Sequence, residues 1–468
     1  MTTEIVGGST PLENLLAEDR RFPPTPEFTA QANARAELYL WSAADRLGFW
    51  AEQARLLIDW DTPFTEVLDW SGAPVARWFA DGRLNACYNA VDRHVEAGNG
   101  DRVALLFEGE PGDRREVTYA ELQREVCRAA NALTALGVGL GDRVAIYLPL
   151  IPEAVVAMLA CALCTAPTAI RTCMKWGEEI PAGFDLSSLR VLGSVGEPIN
   201  PEAWMWYRRI IGGDRAPVVD TWWQTETGAI MISPLPGVTA TKPGSAMTAL
   251  PGIAAEVVDE MGDPVPNGSG GYLVLTEPWP AMLRGIWGDQ QRFVDTYWSR
   301  FPDQYFTGDG AKKDADGDIW LLGRVDDVMN VSGHRLSTAE IESALVSHPM
   351  VAEAAVVGAS DETTGQAVVA FVILRKEHLD QVAKDGGGAD VAAILRRHVT
   401  KEIGPIAKPR TILVVTELPK TRSGKIMRRL LRDVAEHRAV GDVTTLADSS
   451  VMDMISAGLD ARAASADG

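Results

Sequence analysis

The chain has 468 residues, and its 44 Lys and Arg residues against 64 Asp and Glu residues give a net charge of −20. That length allows two to four domains, and 46% hydrophobic with 23% charged residues is typical of a soluble globular protein. An acidic chain is repelled by polyanions, so the charge argues against binding to nucleic acids or to anionic membranes. It leaves room for a local basic pocket that binds a small phosphorylated ligand.

The five cysteines are too few for a disulfide scaffold in so long a chain, which favours a reducing cytosol. The first residues show no basic segment followed by an apolar one, so we expect no signal peptide. Residues 154–170 are apolar but include Pro167, and they fall short of the roughly 20 residues that cross a membrane. We therefore predict a cytoplasmic protein with a buried helix in this segment.

Regular structure is predicted most clearly after the first hundred residues. Residues 1–100 are rich in Trp and have weak helical patterns, so we interpret them as an N-terminal cap that is part of the large domain. Thr118 and Glu121 form a capping box before a helix, and residues 143–148 then read as a buried strand. Such alternation of helix and strand is typical of an α/β fold with an open, mostly parallel sheet.

Two further strand candidates indicate where this large domain, expected over residues 101–325, binds a ligand. Residues 189–194 and 218–221 are apolar and end in polar, glycine-rich corners. Open α/β sheets bind ligands at the carboxyl ends of their strands. We therefore expect the functional residues of this domain at these corners.

The pattern changes after residue 325 to that of a smaller α+β domain, expected over residues 327–468. A second capping box, from Ser337 to Glu340, predicts a helix that ends near residue 348. The other expected elements are strands at 351–357, 367–374 and 411–415, a helix at about 390–402 and a basic helix from about 426.

The first segment with chemical potential is DTWWQTETG, residues 220–228. A turn of this kind can place Thr225 near a phosphate and Glu226 near a divalent cation, while a Trp lines a small pocket. The alternative is a Trp pair in the core followed by a polar turn, and the segment alone does not decide between them.

The second segment combines YFTGDG at residues 305–310 with GRVDD at residues 323–327. Asp309 between two glycines suits a ribose diol, because its carboxylate accepts hydrogen bonds and the backbone can approach the ligand. Arg324 can neutralise a phosphate. The alternative is a β-turn with a surface ion pair.

The third segment is LPKTRSGK, residues 418–425, which precedes Arg428 and Arg429. A flexible Lys425 on such a loop can approach negative charge that develops in a transition state. The alternative is a solvated basic helix, which is the usual explanation of a run of charges.

Together with LGSVGEPIN at residues 192–200 and VSGHR at residues 331–335, these segments resemble the ordered motifs of AMP-forming acetyl-coenzyme A synthetases. That family belongs to the adenylate-forming acyl-CoA synthetase superfamily, and the resemblance extends over nearly the whole chain. It implies a large adenylate-forming N-terminal domain, truncated internally here, with a smaller α+β C-terminal lid domain. It also implies a ligase reaction in which ATP and acetate give acetyl-AMP and diphosphate, and coenzyme A then gives acetyl-CoA and AMP.

The resemblance assigns roles to individual residues. Lys425, Glu226 and Trp223 are implied to be catalytic, with Lys425 stabilising charge during adenylation and Glu226 binding Mg²⁺. Val195 and Trp223 would restrict the acid to two or three carbons. Residues implied to bind ATP or coenzyme A are Gly196, Glu197, Pro198, Asp220, Thr221, Trp222, Trp223, Gln224, Thr225, Asp309, Arg324, Ser332, Gly333 and Arg335. A further cation site is implied at Val346, His348 and Val351.

Two more roles follow from the same resemblance. Asp326 is implied to be the hinge about which the lid domain rotates between the half-reactions. Lys425 is implied to be acetylated by a protein acetyltransferase and restored by a deacetylase, which would remove and return the charge that adenylation needs.

The chain departs from the family in one major respect. The phosphate-binding loop of the form TSGSTGKPKG is absent, and near residues 162–165 two segments that are far apart in the family are joined directly. The missing stretch is on the order of 180 residues. A smaller departure is Thr400, which stands where relatives carry an Arg that contacts coenzyme A. We therefore expect very low turnover, an incomplete parallel sheet and an enlarged open cleft beside Trp222 and Trp223.

Two alternatives to an impaired acetate–CoA ligase remain at this point. The chain retains the adenine-binding segment, Asp309 and Arg324, so it can be a protein that binds a nucleotide or coenzyme A without chemistry. The gap can also be an artefact of the gene sequence, which the intact mass of the native protein would reveal.

Overall fold

The computed structural model describes residues 18–109, 112–135, 151–157, 179–196, 198–332, 334–361, 363–375, 378, 388–420, 426–436, 438, 446, 451–452 and 455–456. The chain divides into two compact units, residues 44–72 with 77–164, and residues 1–43 and 73–76 with 165–468. The strand predicted at 143–148 and the join predicted near 162–165 lie outside the described residues.

Helices and strands are numbered in chain order. The helices are α1 (Pro26–Gln31), α2 (Glu37–Ala44), α3 (Arg46–Leu57), α4 (Tyr119–Ala135), α5 (Pro152–Ala157), α6 (Glu179–Ala182), α7 (Pro201–Trp206), α8 (Gln290–Tyr297), α9 (Thr338–Val346), α10 (Gly388–Glu402) and α11 (Arg428–Ala435). The strands are β1 (Leu68–Asp69), β2 (Arg77–Trp78), β3 (Val103–Glu108), β4 (Arg114–Thr118), β5 (Leu192–Val195), β6 (Val218–Thr221), β7 (Ala255–Val258), β8 (Gly270–Leu275), β9 (Tyr305–Lys313), β10 (Ile319–Arg324), β11 (Met329–Val331), β12 (His334–Leu336), β13 (Val351–Asp361), β14 (Gly365–Leu374) and β15 (Thr411–Val414). No helix of the described residues has both the length and the apolar composition needed to cross a bilayer.

In the unit formed by residues 44–72 and 77–164, the predicted capping box of α4 is confirmed. The backbone N–H of Thr118 donates to Glu121 at 2.9 Å, and the backbone N–H of Glu121 donates to the Thr118 hydroxyl at 3.2 Å. These bonds satisfy donors that a helix N-terminus leaves unpaired, so α4 begins where the sequence predicts.

In the other unit, β5 and β6 pair in parallel, with Leu192 opposite Val218 and Val195 opposite Thr221. The side chain of Trp204 from α7 is fully buried against this pair. Within the described residues this parallel sheet has two strands. Both end at the polar corners that the sequence predicts, which brings Gly196, residues 198–200 and residues 222–228 to one edge.

A four-stranded antiparallel sheet, in the order β10-β9-β8-β7, supplies the other framework of the site. In its register Asp309 of β9 lies opposite Arg324 of β10, so two residues singled out in separate sequence motifs become cross-strand partners. A bulge between Leu321 and Gly323 interrupts β10 just before Arg324.

The C-terminal residues form a five-stranded sheet in which β12, β11, β14 and β13 are successive neighbours and β15 pairs in parallel with β14. The predicted strands at 351–357, 367–374 and 411–415 and the predicted helix at about 390–402 are confirmed as β13, β14, β15 and α10. Side chains of α9 and α10 share one buried cluster with the sheet, and side chains of α11 share the other. The sheet is therefore covered by helices on both faces.

The capping box predicted from Ser337 to Glu340 is only half formed. The Glu340 N–H donates to the Ser337 hydroxyl at 3.4 Å, but one carboxylate oxygen of Glu340 accepts from Lys312 of β9 at 2.8 Å. The other oxygen has no hydrogen-bond partner, and both side chains are about 95% buried. The Glu340 carboxylate therefore forms a buried ion pair between α9 and β9 and does not complete the capping box.

Replacing Lys312 by Met is expected to lower the free energy of unfolding by about 3–5 kcal/mol, because the Glu340 carboxylate stays buried without a countercharge. The double variant Lys312→Met/Glu340→Leu should recover most of that loss. Urea unfolding at pH 7 measures both. Lys313 is the matched control, because its ion pair with Glu256 is partly exposed and Lys313→Met should cost at most about 1 kcal/mol. Equal losses in the two single variants would contradict this explanation.

Candidate active site

A cleft of about 390 Å³ lies where β6 ends, beside the paired strands β9 and β10. Eleven of the residues predicted to bind substrates line it. They are Gly196, Pro198, Asp220, Thr221, Trp222, Trp223, Gln224, Thr225, Glu226, Asp309 and Arg324. The structure thus brings together residues from three sequence motifs, as the resemblance implies, and the cleft lies beside Trp222 and Trp223 as expected.

The Asp309 carboxylate is the centre of the polar network in this cleft. Its Oδ2 accepts from the indole N–H of Trp222 at 3.0 Å and from the side-chain amide of Gln224 at 2.9 Å. Its Oδ1 lies 3.7 Å from the guanidinium of Arg324. Asp309 is 8% exposed, so these groups hold a nearly buried carboxylate in one orientation with Oδ1 beside a cation.

Gly308 makes the approach of Arg324 possible. Its φ is +73°, and a Cβ at this position would lie 2.7 Å from a guanidinium nitrogen of Arg324. A side chain here would push the guanidinium away from Asp309. This gives a physical reason for the first glycine of the predicted Gly–Asp–Gly corner.

The turn that carries Glu226 is fixed from several sides. The Gln224 N–H donates to the Thr227 hydroxyl at 2.9 Å, and the Trp279 indole donates to the Thr227 carbonyl at 2.7 Å. Gly228 ends the turn with a φ of +67°, where a Cβ would lie 2.5 Å from the Ala281 carbonyl oxygen. The turn is therefore a rigid support for the side chains that line the cleft.

Asp220 differs from the other acids of the cleft because it is buried without adequate partners. It is 5% exposed, and its Oδ1 has no hydrogen-bond partner. Burial raises the pKa of Asp220 to about 8, since the charged form is poorly solvated. At neutral pH this carboxyl is mostly protonated and can both donate and accept a hydrogen bond.

Glu226 has the surroundings expected of a magnesium ligand. Its carboxylate lines the cleft, and its Oε1 accepts from the hydroxyl of Tyr297 at 3.0 Å. Among the described residues, no Lys or Arg forms an ion pair with Glu226. Carboxylate oxygens are preferred Mg²⁺ ligands, so the donor type and the position fit the ion.

An acidic triplet elsewhere in this unit holds a lysine. Oxygens of Asp314, Asp316 and Asp318 lie within 4.8 Å of one another, which is close enough to surround a cation. The ammonium of Lys242 lies 2.8 Å from Asp316 and 2.9 Å from Asp318, and it also contacts Asp314. The lysine supplies the positive charge that these carboxylates require.

Several predicted residues are not brought into this cleft. Ser332, with a φ of +52°, lines a separate cleft of about 570 Å³ together with Arg396 and Arg410. Val346, His348 and Val351 lie at the end of α9 and the start of β13, and they are not among the residues that line the site.

Other predicted residues fall outside the description. Glu197, Gly333 and Lys425 are not among the described residues, and the same holds for the side chains of Asp326 and Arg335. The roles assigned to these five residues stay predictions.

Some cleft residues were missed by the sequence analysis. Asp327, Thr338, Ala339 and Arg428 also line the site. Arg428 had been noted only as a nearby cation, and it donates to Glu342 at 2.7 Å. Asp327 lies in the GRVDD segment and Thr338 in the predicted cap, but neither pattern indicates a place in the cleft, because these residues reach it through the packing of the C-terminal residues on β10.

Comparisons with known proteins match the chain along most of its length. Residues 35–90 match the family described as acetyl-coenzyme A synthetase N-terminus, residues 91–164 and 162–287 match AMP-binding enzyme, and residues 340–425 match AMP-binding enzyme C-terminal domain. The acetyl-coenzyme A synthetase of Streptomyces avermitilis is 50% identical over 649 residues, which covers 96% of this chain and 98% of that protein. This chain belongs to the acetyl-coenzyme A synthetase family. The resemblance inferred from the motifs is confirmed.

Solved structures place the fold in the same superfamily. The acetoacetyl-CoA synthetase from Streptomyces lividans has a TM-score of 0.76 at 18% identity, covering 94% of this chain and 99% of that one. The anthranilate CoA ligase AuaEII, solved in complex with anthranoyl-AMP, has a TM-score of 0.51 at 31% identity, covering 58% of this chain and 49% of that one. The predicted α/β fold with a C-terminal α+β domain is confirmed.

The comparisons also bear on the missing segment. The alignment with the Streptomyces avermitilis synthetase is 649 positions long, although this chain has 468 residues, so that relative contains an internal segment which this chain lacks. The two residue ranges that match AMP-binding enzyme meet at 162–164. Both findings agree with the predicted gap near residues 162–165.

The raised pKa of Asp220 predicts a specific dependence of stability on pH. Between about pH 4 and pH 8 the unfolded chain has released this proton while the folded chain retains it, so Asp220 lowers stability progressively as the pH rises. Asp220→Asn removes this titration. We expect the variant to gain about 1–3 kcal/mol over the unmodified chain at pH 8 and less at pH 5, measured by urea unfolding. A variant that is less stable by the same amount at both pH values would contradict this prediction.

Proposed function

We propose that the chain is an acetate–CoA ligase (AMP-forming) whose adenylation step is impaired. The complete reaction converts ATP, acetate and coenzyme A to acetyl-CoA, AMP and diphosphate through acetyl-AMP. The observation that carries the proposal is the Asp309 carboxylate, held by Trp222 and Gln224 beside Arg324 in a cleft of the right size for a nucleotide.

Two acids that line the cleft, Asp309 and Asp220, support the binding of adenosine. Asp309 accepts hydrogen bonds from protein donors at Oδ2, and a carboxylate held in this way at the cleft is a suitable acceptor for the hydroxyls of a ribose diol. Asp220, whose pKa burial raises to about 8, is a neutral donor and acceptor at pH 7 and complements the N1 and N6 edge of adenine. Arg324 suits the α-phosphate.

Trp223, which lines the same cleft, and Val195 at the end of β5 support the binding of a short acyl group. An indole in the acyl tunnel leaves space for two or three carbons, which fits acetate and propionate. The solved relative in complex with anthranoyl-AMP is a precedent for an acyl-adenylate in this fold.

Glu226 would hold Mg²⁺, which supplies charge neutralisation at the diphosphate leaving group when it is bound. Lys425 is proposed to stabilise the charge that builds on the α-phosphate as acetate attacks it. The missing loop would have bound the β- and γ-phosphates. Removing one such electrostatic contributor typically costs about 100- to 1,000-fold in rate, so adenylation should be slow while adenosine binding persists.

Further roles are proposed on the family resemblance alone. Ser332, Gly333 and Arg335 are proposed to contact coenzyme A, and Val346, His348 and Val351 to form a second cation site. Acetylation of Lys425 by a protein acetyltransferase would stop adenylation, and a deacetylase would restore it. The location is proposed to be cytoplasmic.

Calorimetric titration with AMP in the absence of metal tests the adenosine end. We expect saturable binding that Asp309→Ala weakens at least about tenfold, because the variant loses the ribose acceptor. Asp101→Asn is the control, since Asp101 is exposed and does not line the cleft. Absence of AMP binding to the unmodified chain would overturn the proposal.

Acetate-dependent exchange between ATP and diphosphate tests the chemistry on the same preparation. We expect exchange at least about 100-fold below that of a full-length family member, and its loss in Lys425→Ala. AMP binding without any exchange would favour the second candidate, a nucleotide-binding protein without turnover, for which the absent phosphate loop is the specific argument. Exchange at the full family rate would show that the chain does not need the loop.

A further inference from the structure

Two stacked tyrosines lie behind the turn that carries Glu226. Tyr297 ends α8 and Tyr305 begins β9, and their rings are 5.3 Å apart with an interplanar angle of 9°. Trp279 and Trp298 contact the Tyr305 ring edge-on at 5.4 and 5.8 Å. The side chain of Tyr305 is fully buried, so the pair is held rigidly.

The hydroxyl of each tyrosine reaches a different residue of the cleft. The Tyr297 hydroxyl donates to Oε1 of Glu226 at 3.0 Å, and the Tyr305 hydroxyl donates to Oε1 of Gln224 at 3.3 Å. Glu226 and Gln224 line the cleft, whereas neither tyrosine does. The pair therefore acts on the site only through the two side chains that it anchors.

The Tyr297 bond determines which part of Glu226 faces a ligand. With Oε1 engaged by the hydroxyl, the carboxylate is held in one orientation at the cleft and keeps lone pairs for a cation. Fixing a long side chain before the ligand arrives removes the entropic cost of ordering that side chain from the binding step.

The Tyr305 bond determines the orientation of the Gln224 amide. Because the hydroxyl donates to Oε1, the Nε2 group faces two acceptors, the Thr307 carbonyl at 2.7 Å and Asp309 at 2.9 Å. A flipped amide would direct its oxygen at the Asp309 carboxylate. Tyr305 thus supports the donor that holds the proposed ribose-binding acid.

We propose that this stacked pair is a positioning device with two separable arms, in which Tyr297 orients Glu226 toward Mg²⁺ and Tyr305 orients Gln224, and through it Asp309, toward the ribose. The inference rests on the proposed function, because it assumes that the cleft binds an adenine nucleotide. If the tyrosines served only in packing, their rings alone would suffice. Here each hydroxyl has a separate effect on the cleft.

The test uses Tyr297→Phe and Tyr305→Phe, which keep the rings and remove the hydroxyls. Calorimetry measures the Kd of AMP without metal, and the ratio of the Kd values of ATP without and with Mg²⁺. We expect Tyr297→Phe to leave AMP affinity within about twofold and to reduce the Mg²⁺ enhancement about fivefold or more. Tyr305→Phe should weaken AMP binding about fivefold and leave the Mg²⁺ enhancement unchanged.

Tyr88→Phe is the matched control, because Tyr88 makes the same kind of bond to Glu96 at 2.9 Å in the other compact unit. It should change neither affinity. Parallel losses of both affinities in the two cleft variants, or no loss in either, would overturn the two-arm device while the binding by the unmodified chain still supports the proposed function. A chain that fails to bind AMP at all would overturn the proposed function and the inference with it.

Discussion

The shared hydrogen bonding of Asp309 is the interaction on which the site depends. A nearly buried carboxylate is costly unless donors compensate it, and here the indole of Trp222 and the amide of Gln224 do so from a segment more than eighty residues earlier in the chain. The same carboxylate lies opposite Arg324 in the register of β9 and β10. One acid therefore joins the parallel strands to the antiparallel sheet at the point where a ligand would bind.

In this arrangement, the residues proposed to bind adenosine are different from those proposed to bind the terminal phosphates during adenylation. The residues proposed to hold adenosine come from β6, β9 and the turn after β6, all of which are present and packed. The Streptomyces avermitilis synthetase has an internal segment that this chain lacks, and we propose that this segment contains the loop that binds the terminal phosphates. Losing that segment should affect phosphate contacts far more than contacts to the base and the sugar.

Much of the fold could be predicted because its signals are local. Capping boxes and apolar periodicity located α4, β13, β14, β15 and α10, and the motif around Trp222 located the cleft. The long-range pairs could not be predicted, since nothing in the neighbourhood of Tyr297 or Lys312 identifies Glu226 or Glu340 as a partner. The half-formed cap at Ser337 illustrates the limit: the sequence pattern was correct, but a buried lysine from another sheet competed for the carboxylate.

A crystal structure of this chain grown with AMP would show whether Asp309 binds the ribose. We expect the nucleotide in the cleft, with ribose hydroxyls within hydrogen-bond distance of Asp309, adenine next to Asp220 and the phosphate near Arg324. An AMP bound on another surface, or one in the cleft with its ribose directed away from Asp309, would contradict it.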